Sequence, residues 1–131
     1  MEADQFTLEE ANALVPWLQE KFLELKLRRQ QYLAAQKRFD EIVHDPTKDG
    51  STPDLELAEV AASVKNLAAQ VEDRVQEILD RGIILRDVSS GLVDFPSQRD
   101  GREVFLCWIG GEEEIRFWHE TNFGFEHRQP L

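Results

Sequence analysis

Apolar residues recur every three to four positions through residues 1–82, which is the spacing of amphipathic helices. The first helix begins at Thr7-Leu8-Glu9-Glu10, where the Thr7 hydroxyl and the Glu10 carboxylate can exchange hydrogen bonds with backbone N–H groups in a capping box. The pattern predicts a helix of roughly 37 residues that bends where Pro16 lies inside it. Its apolar seam holds Leu8, Ala11, Val15, Leu18, Phe22, Leu25, Tyr32, Phe39 and Val43.

Arg29 and Gln36 place polar groups on this seam. Arg29 either packs its stem and extends its charged end into water, or it sets the register of a subunit interface. The turn residues of 44–51 end the first helix, and Thr52 and Pro53 predict the cap and first turn of a second one. Its seam continues as Leu57, Ala61, Val64, Ala68, Val71, Val75 and Ile78, and it ends at Gly82.

The two helices form an antiparallel hairpin because their connection is short. Two helices alone cannot cover seams of this length, and the residues from Ile83 onwards are too few to cover both of them. We therefore expect a homodimer in which two hairpins form a coiled-coil-like four-helix bundle. Recruitment of a different protein by the hairpin is the alternative.

Residues 83–131 have a different pattern, which predicts a small antiparallel β unit packed on the hairpin of residues 1–82. Short β-rich runs cover Ile83–Leu85 and Leu92–Phe95, the second of them ended by Pro96. A hairpin of Glu103–Ile109 and Glu113–His119 is expected to turn tightly at Gly110-Gly111. The predicted class is α+β, with both parts in one folding domain.

The composition limits the possible partners. The chain has 15 basic and 26 acidic side chains, and its net charge of −11 argues against binding to nucleic acid or an anionic membrane. No apolar run approaches the roughly 18 residues of a membrane span. The single cysteine gives no sign of an oxidising compartment. A soluble cytoplasmic protein is expected.

Several motifs of uncommon residues follow one another in the C-terminal part: GLVDFP, VFLCW, FWHE and GFEHRQPL. Together with the opening FTLEEANALVPWL, they resemble the uncharacterised prokaryotic family DUF2203 over essentially the whole chain. The resemblance brings no activity with it. It implies that the family pattern uses Asp94, Pro96, Gly101, Cys107, Trp108, Glu112, Trp118, His119, Gly124 and Arg128.

Candidate metal ligands are His119 and Glu120, with Asp94, Glu112 or His127 completing the set. The spacing matches neither HExxH nor CxxC, and adjacent strand residues point to opposite faces. The alternative is a His119 that is hydrogen-bonded to a backbone group or to Asp94.

Cys107 as a nucleophile with His119 as its base is a further hypothesis, against which stands an ordinary buried thiol. Arg102 and Arg128, with Trp108 and Trp118, are candidates for binding an anionic or planar ligand. Their alternative role is structural: ion pairs to Asp94, Glu112 or Glu120, with the tryptophan rings in the core. No residue is assigned a catalytic role.

Two functions remain open. The first is a non-enzymatic cytoplasmic homodimer that acts as a scaffold or protein-binding module. The second is a metal-binding or small-ligand-binding protein, with or without enzymatic activity, with a divalent metal as cofactor and a site around His119. The predicted binding residues are Asp94, Arg102, Trp108, Glu112, Trp118 and Arg128, and the predicted metal ligands are His119 and Glu120.

Overall fold

A computed structural model of the chain describes residues 5–45 and 55–131. Within these ranges, three α-helices are followed by a five-stranded antiparallel sheet whose spatial order is the same as its order in the sequence. The helices are α1 (Leu8–Ala13), α2 (Val15–Val43) and α3 (Leu55–Asp80), and the strands are β1 (Ile84–Asp87), β2 (Leu92–Arg99), β3 (Arg102–Trp108), β4 (Phe117–Glu120) and β5 (Gln129–Pro130). The predicted α+β class is confirmed.

The first helix starts as predicted, but it is not continuous. Thr7 and Glu10 form both hydrogen bonds of the capping box. The helix then breaks at Leu14, so that Pro16 lies in the first turn of α2 instead of bending a single long helix. This position suits proline because the first N–H groups of a helix have no partner within it. The predicted single helix of residues 7–43 is therefore wrong at this point.

Helix α3 packs against α2, as the hairpin prediction requires. Its seam residues lie half-buried or buried, and Gly82 follows its end with a positive φ of 85°. The predicted cap at Thr52 and the turn that precedes it lie outside the described residues. Within the described residues, no helix is long and apolar enough to cross a membrane.

The core lies between the helices and one face of the sheet. β3 is the central strand, and its Val104, Leu106 and Trp108 side chains are buried against the helices. The Trp108 ring stacks on Phe22 of α2 at 6.1 Å between centroids. The helices supply the other side of this core with Ala11, Val15, Leu18, Leu25 and Ile78.

Strand β2 continues through Pro96, where the sequence predicted its end. The Pro96 carbonyl accepts a hydrogen bond from the N–H of Phe6, at a point where β1 no longer pairs with β2. Because the N and O atoms of a strand residue face the same side, the missing N–H of Pro96 also faces this outer edge. The ladder between β2 and β3 therefore loses no hydrogen bond.

The predicted tight turn at Gly110-Gly111 is also wrong. β3 and β4 are joined by residues 109–116, and Cys107 pairs with Phe117. A two-residue turn at Gly110-Gly111 would instead have placed Cys107 opposite Glu114. The tight hairpin of this sheet joins β2 to β3 through Asp100 and Gly101, whose φ angles are 53° and 78°.

Replacing Gly101 by alanine tests this turn. A Cβ at Gly101 meets no atom within 4 Å, so its cost comes from the left-handed backbone alone. We expect Gly101→Ala to lower the free energy of unfolding by about 1–2 kcal/mol. Gly124→Ala is the matched control, because its Cβ also enters open space while its φ of −120° suits any residue. Equal urea midpoints for the two variants would contradict this account of the turn.

Candidate functional site

Three chemically reactive side chains meet on the sheet face that is turned away from the helices. Asp94 of β2 pairs directly with Cys107 of β3, and His119 of β4 pairs with Phe105, two residues away from Cys107. Alternate residues of a strand share a face, so the three side chains converge. One possible ligand atom from each of them lies within 4.8 Å of the others. All three residues are buried.

The hydrogen bonds of His119 define which ring nitrogen carries a proton. Nδ1 lies 2.8 Å from the carbonyl oxygen of Glu120, and Nε2 lies 3.0 Å from Oδ1 of Asp94. A carbonyl oxygen can only accept, so Nδ1 carries a proton and donates it, and the contact between Nε2 and the carboxylate oxygen shares a second proton. This arrangement matches the sequence-based alternative in which His119 bonds a backbone group and Asp94.

Asp94 has a second partner that sequence reasoning missed. The Nε–H of Arg86 on β1 donates to Oδ2 of Asp94 at 2.9 Å, which leaves Oδ1 directed towards His119. Nothing in the sequence near Arg86 indicated this pairing, because it depends on the register of β1 against β2. The carboxylate is therefore held at one oxygen by a side chain of β1 and at the other by a side chain of β4.

A cleft of about 380 Å³ leads from the surface to this cluster. Asp94 and Cys107 contribute to its wall, together with Arg86, Leu92 and the tail residues 121–125. The tail that follows β4 thus covers part of the sheet face without closing it.

The environment of Cys107 disfavours a thiolate in the free protein. Burial of the thiol and the negative charge of Asp94 raise the pKa of Cys107 to about 12. A nucleophilic cysteine has the opposite property, because the thiolate is the reactive form. Since folding raises this pKa from 9.0, the thiol's contribution to stability is complete below about pH 9 and is lost as the pH rises towards 12.

Arg128 and Glu112 form a second polar cluster beside the first. Nη2 of Arg128 donates to both carboxylate oxygens of Glu112, at 2.9 and 2.7 Å, and its guanidinium lies over the rings of Phe117 and Phe125. Glu112 also accepts the N–H of Ile109 on its carboxylate. These contacts fix the connection between β3 and β4.

The other predicted site residues are separate from the buried cluster. Trp108 and Trp118 lie in the core between sheet and helices, and the indole N–H of Trp108 donates to the carbonyl oxygen of Glu112. Arg102 forms an ion pair with Glu120 at 2.9 Å. The structure therefore brings Asp94 and His119 together with Cys107, whereas the carboxylate of Glu120 is engaged by Arg102. Glu112 is engaged by Arg128.

A larger groove of about 680 Å³ lies where α2 passes the turn of residues 88–91. Its wall is mainly apolar, with Phe22, Leu23 and Leu33 from α2, and Lys26 and Arg29 bring two positive charges to it. The sequence had placed Arg29 on the seam, and the structure leaves its side chain exposed.

Comparison with known proteins identifies relatives by sequence. The family DUF2203, described as an uncharacterized conserved protein, has a model that matches residues 5–131. Searches of curated proteins and of solved structures returned no match. The match extends over both the helical hairpin and the sheet, as the resemblance of the motifs had predicted.

Alkylation tests the state of the Cys107 thiol. Its burial and its raised pKa predict that iodoacetamide labels the folded, metal-free protein at pH 8 slowly, on the order of a hundredfold or more below the unfolded chain. Mass spectrometry of samples quenched at intervals measures both rates. Labelling of the folded protein at the rate of the unfolded one would restore the nucleophile hypothesis.

Removing the charge of Glu112 tests the second polar cluster. Glu112→Gln leaves the partly buried Arg128 without its carboxylate, and we expect a loss of about 1–3 kcal/mol in stability. Glu114→Gln is the control, because the Glu114–Arg116 ion pair is exposed and such pairs contribute little. Denaturant titrations that give both variants the same loss would disprove the special role of Glu112.

Proposed function

We propose that this chain, which belongs to the DUF2203 family, is a non-enzymatic homodimer that acts as a scaffold in the cytoplasm. Two copies associate through α2 and α3, and each copy carries its β unit at one end of the resulting bundle. The single free cysteine, which is buried, favours the cytoplasmic location. A protein partner, if one is bound, meets the surface that the two β units present.

This proposal rests on the observation that the sheet covers only one half of the helical hairpin. We define the distal hairpin as residues 26–43 of α2 and 55–70 of α3. No residue of the distal hairpin belongs to the core that faces the sheet, because this core ends at Leu25 on α2 and begins at Val71 on α3. Ile42 is the one buried hydrophobic side chain in the distal hairpin.

Apolar side chains in the distal hairpin are consequently left against solvent. Leu33 and Leu55 are 56% and 68% exposed, and the seam of α3 from Leu57 to Ala68 is half-buried at best. Single exposed leucines are ordinary, but a seam that continues beyond its cover indicates a further packing surface. A four-helix bundle covers seams of this kind.

The charges of the two helices favour a second copy as the occupant. α2 carries six basic and four acidic side chains, whereas α3 carries two basic and six acidic ones. Within one chain, Lys21 and Arg38 of α2 already pair with Glu77 and Glu56 of α3. Two-fold packing that sets α3 of one copy against the groove with Lys26 and Arg29 repeats this pairing between copies.

The mass in solution tests whether the protein is a dimer, and substitutions at two comparable leucines test where its interface lies. Light scattering after gel filtration should give twice the chain mass of 15.2 kDa. Leu33 lines the groove and Leu27 does not, although both are about half exposed. We expect Leu33→Glu to shift the mass towards one chain, because it sets a carboxylate against the acidic α3 of the other copy, and Leu27→Glu to remain a dimer.

Two results would count against the proposal. A wild-type mass of one chain at all concentrations up to the solubility limit would rule out the homodimer. Loss of the dimer in Leu27→Glu but not in Leu33→Glu would place the interface away from the groove and contradict the proposed packing. Circular dichroism of both variants ensures that the comparison is made between folded proteins.

A further inference from the structure

The buried cluster of Asp94, Cys107 and His119 has the composition of a metal centre. Carboxylate, thiolate and imidazole are the three protein ligands that zinc accepts, and a zinc site with three of them keeps one position open. The three ligand atoms lie within 4.8 Å of one another, so one ion can contact all of them after small side-chain movements. The cluster combines three different ligand types that come from three neighbouring strands.

We propose that Asp94, Cys107 and His119 bind a divalent transition metal ion of the zinc type. This site differs from the His119–Glu120 pair that the sequence predicted, because the carboxylate of Glu120 binds Arg102. It is independent of the proposed dimer, since none of its three residues belongs to α2 or α3.

The neighbouring groups orient each ligand. Nδ1 of His119 donates to the carbonyl of Glu120, which turns Nε2 towards the space beside Oδ1 of Asp94. Such a bond from the second ring nitrogen to a carbonyl is the usual support of a metal-binding histidine. Arg86 holds Oδ2 of Asp94, so that Oδ1 is the oxygen available to an ion.

The charge balance and the access route fit a divalent ion. Two anionic ligands, the carboxylate and the thiolate, neutralise the ion. Binding displaces two protons into solvent, the thiol proton of Cys107 and the proton of the hydrogen bond between Nε2 of His119 and Oδ1 of Asp94. The thiolate selects a soft or borderline ion such as Zn²⁺ over Mg²⁺ or Ca²⁺, which prefer oxygen ligands. The fourth position faces the cleft that Asp94 and Cys107 line, where a water molecule or a small ligand can enter.

Cobalt titration of the full-length, chelator-treated protein tests the site, because Co²⁺ replaces Zn²⁺ and absorbs light. We expect saturation at one equivalent per chain, with a near-ultraviolet band from charge transfer between thiolate and cobalt. Added Zn²⁺ should abolish this band by displacing the cobalt. Saturation without a thiolate band in the wild-type protein would overturn the proposal, as would the absence of any binding.

Variants separate the proposed ligands from their neighbours. Cys107→Ser should lose the charge-transfer band, and Asp94→Asn should bind cobalt at least tenfold more weakly. Glu120→Gln is the matched control: it removes a carboxylate next to His119 but outside the ligand set, so it should bind like the wild type. Loss of binding in Glu120→Gln with retention in Asp94→Asn would replace the proposed set by the sequence-predicted pair.

X-ray absorption at the zinc edge gives a result that does not depend on how well any variant folds. The zinc-loaded wild-type protein should show one sulfur neighbour at about 2.3 Å and nitrogen or oxygen neighbours at about 2.0–2.2 Å. A shell of nitrogen and oxygen alone would exclude Cys107 as a ligand and overturn the proposed centre.

Discussion

The register between β2 and β3 is the constraint on which both faces of the sheet depend. The Asp100-Gly101 turn sets it, because two consecutive residues with positive φ leave the strands only one way to pair. On one face this register brings Phe95 beside Leu106 in the core, and on the other it sets Asp94 against Cys107. A shift by one residue would exchange the two faces, so packing and chemistry are fixed together.

Much of the fold follows from local patterns, and the errors have identifiable causes. The helical periodicity, the Thr7–Glu10 capping box and the α+β class could be predicted because each depends on residues close in sequence. The effects of Pro16 on the first helix and of Pro96 on β2 were predicted wrongly, because the effect of a proline depends on where its missing N–H points. The sequence contains Asp100-Gly101, a pair that is typical of tight hairpin turns. The tight turn was nevertheless predicted at Gly110-Gly111, where the structure has a longer connection.

The site was predictable only in part, because it is assembled across strands. The contact between His119 and Asp94 was one of the predicted alternatives. Arg102 and Arg128 form ion pairs and both tryptophans lie in the core, which are the contacts that the structural alternative to ligand binding had named. The proximity of Cys107 to His119 depends on the eight residues that join β3 to β4. A tight turn there would have placed the two side chains on opposite faces. No sequence pattern indicated a role for Arg86, because its contact with Asp94 arises from the pairing of β1 with β2.

Prolines limit strand addition on both sides of the sheet. Beyond the end of β1, the outer edge of β2 is occupied by Phe6 and interrupted by Pro96, which offers no N–H to an incoming strand. β5 carries Pro130 at the opposite edge. Prolines at sheet edges prevent the open-ended strand addition that leads to fibrils. The chain thus exposes apolar side chains on its helices while its sheet resists polymerisation.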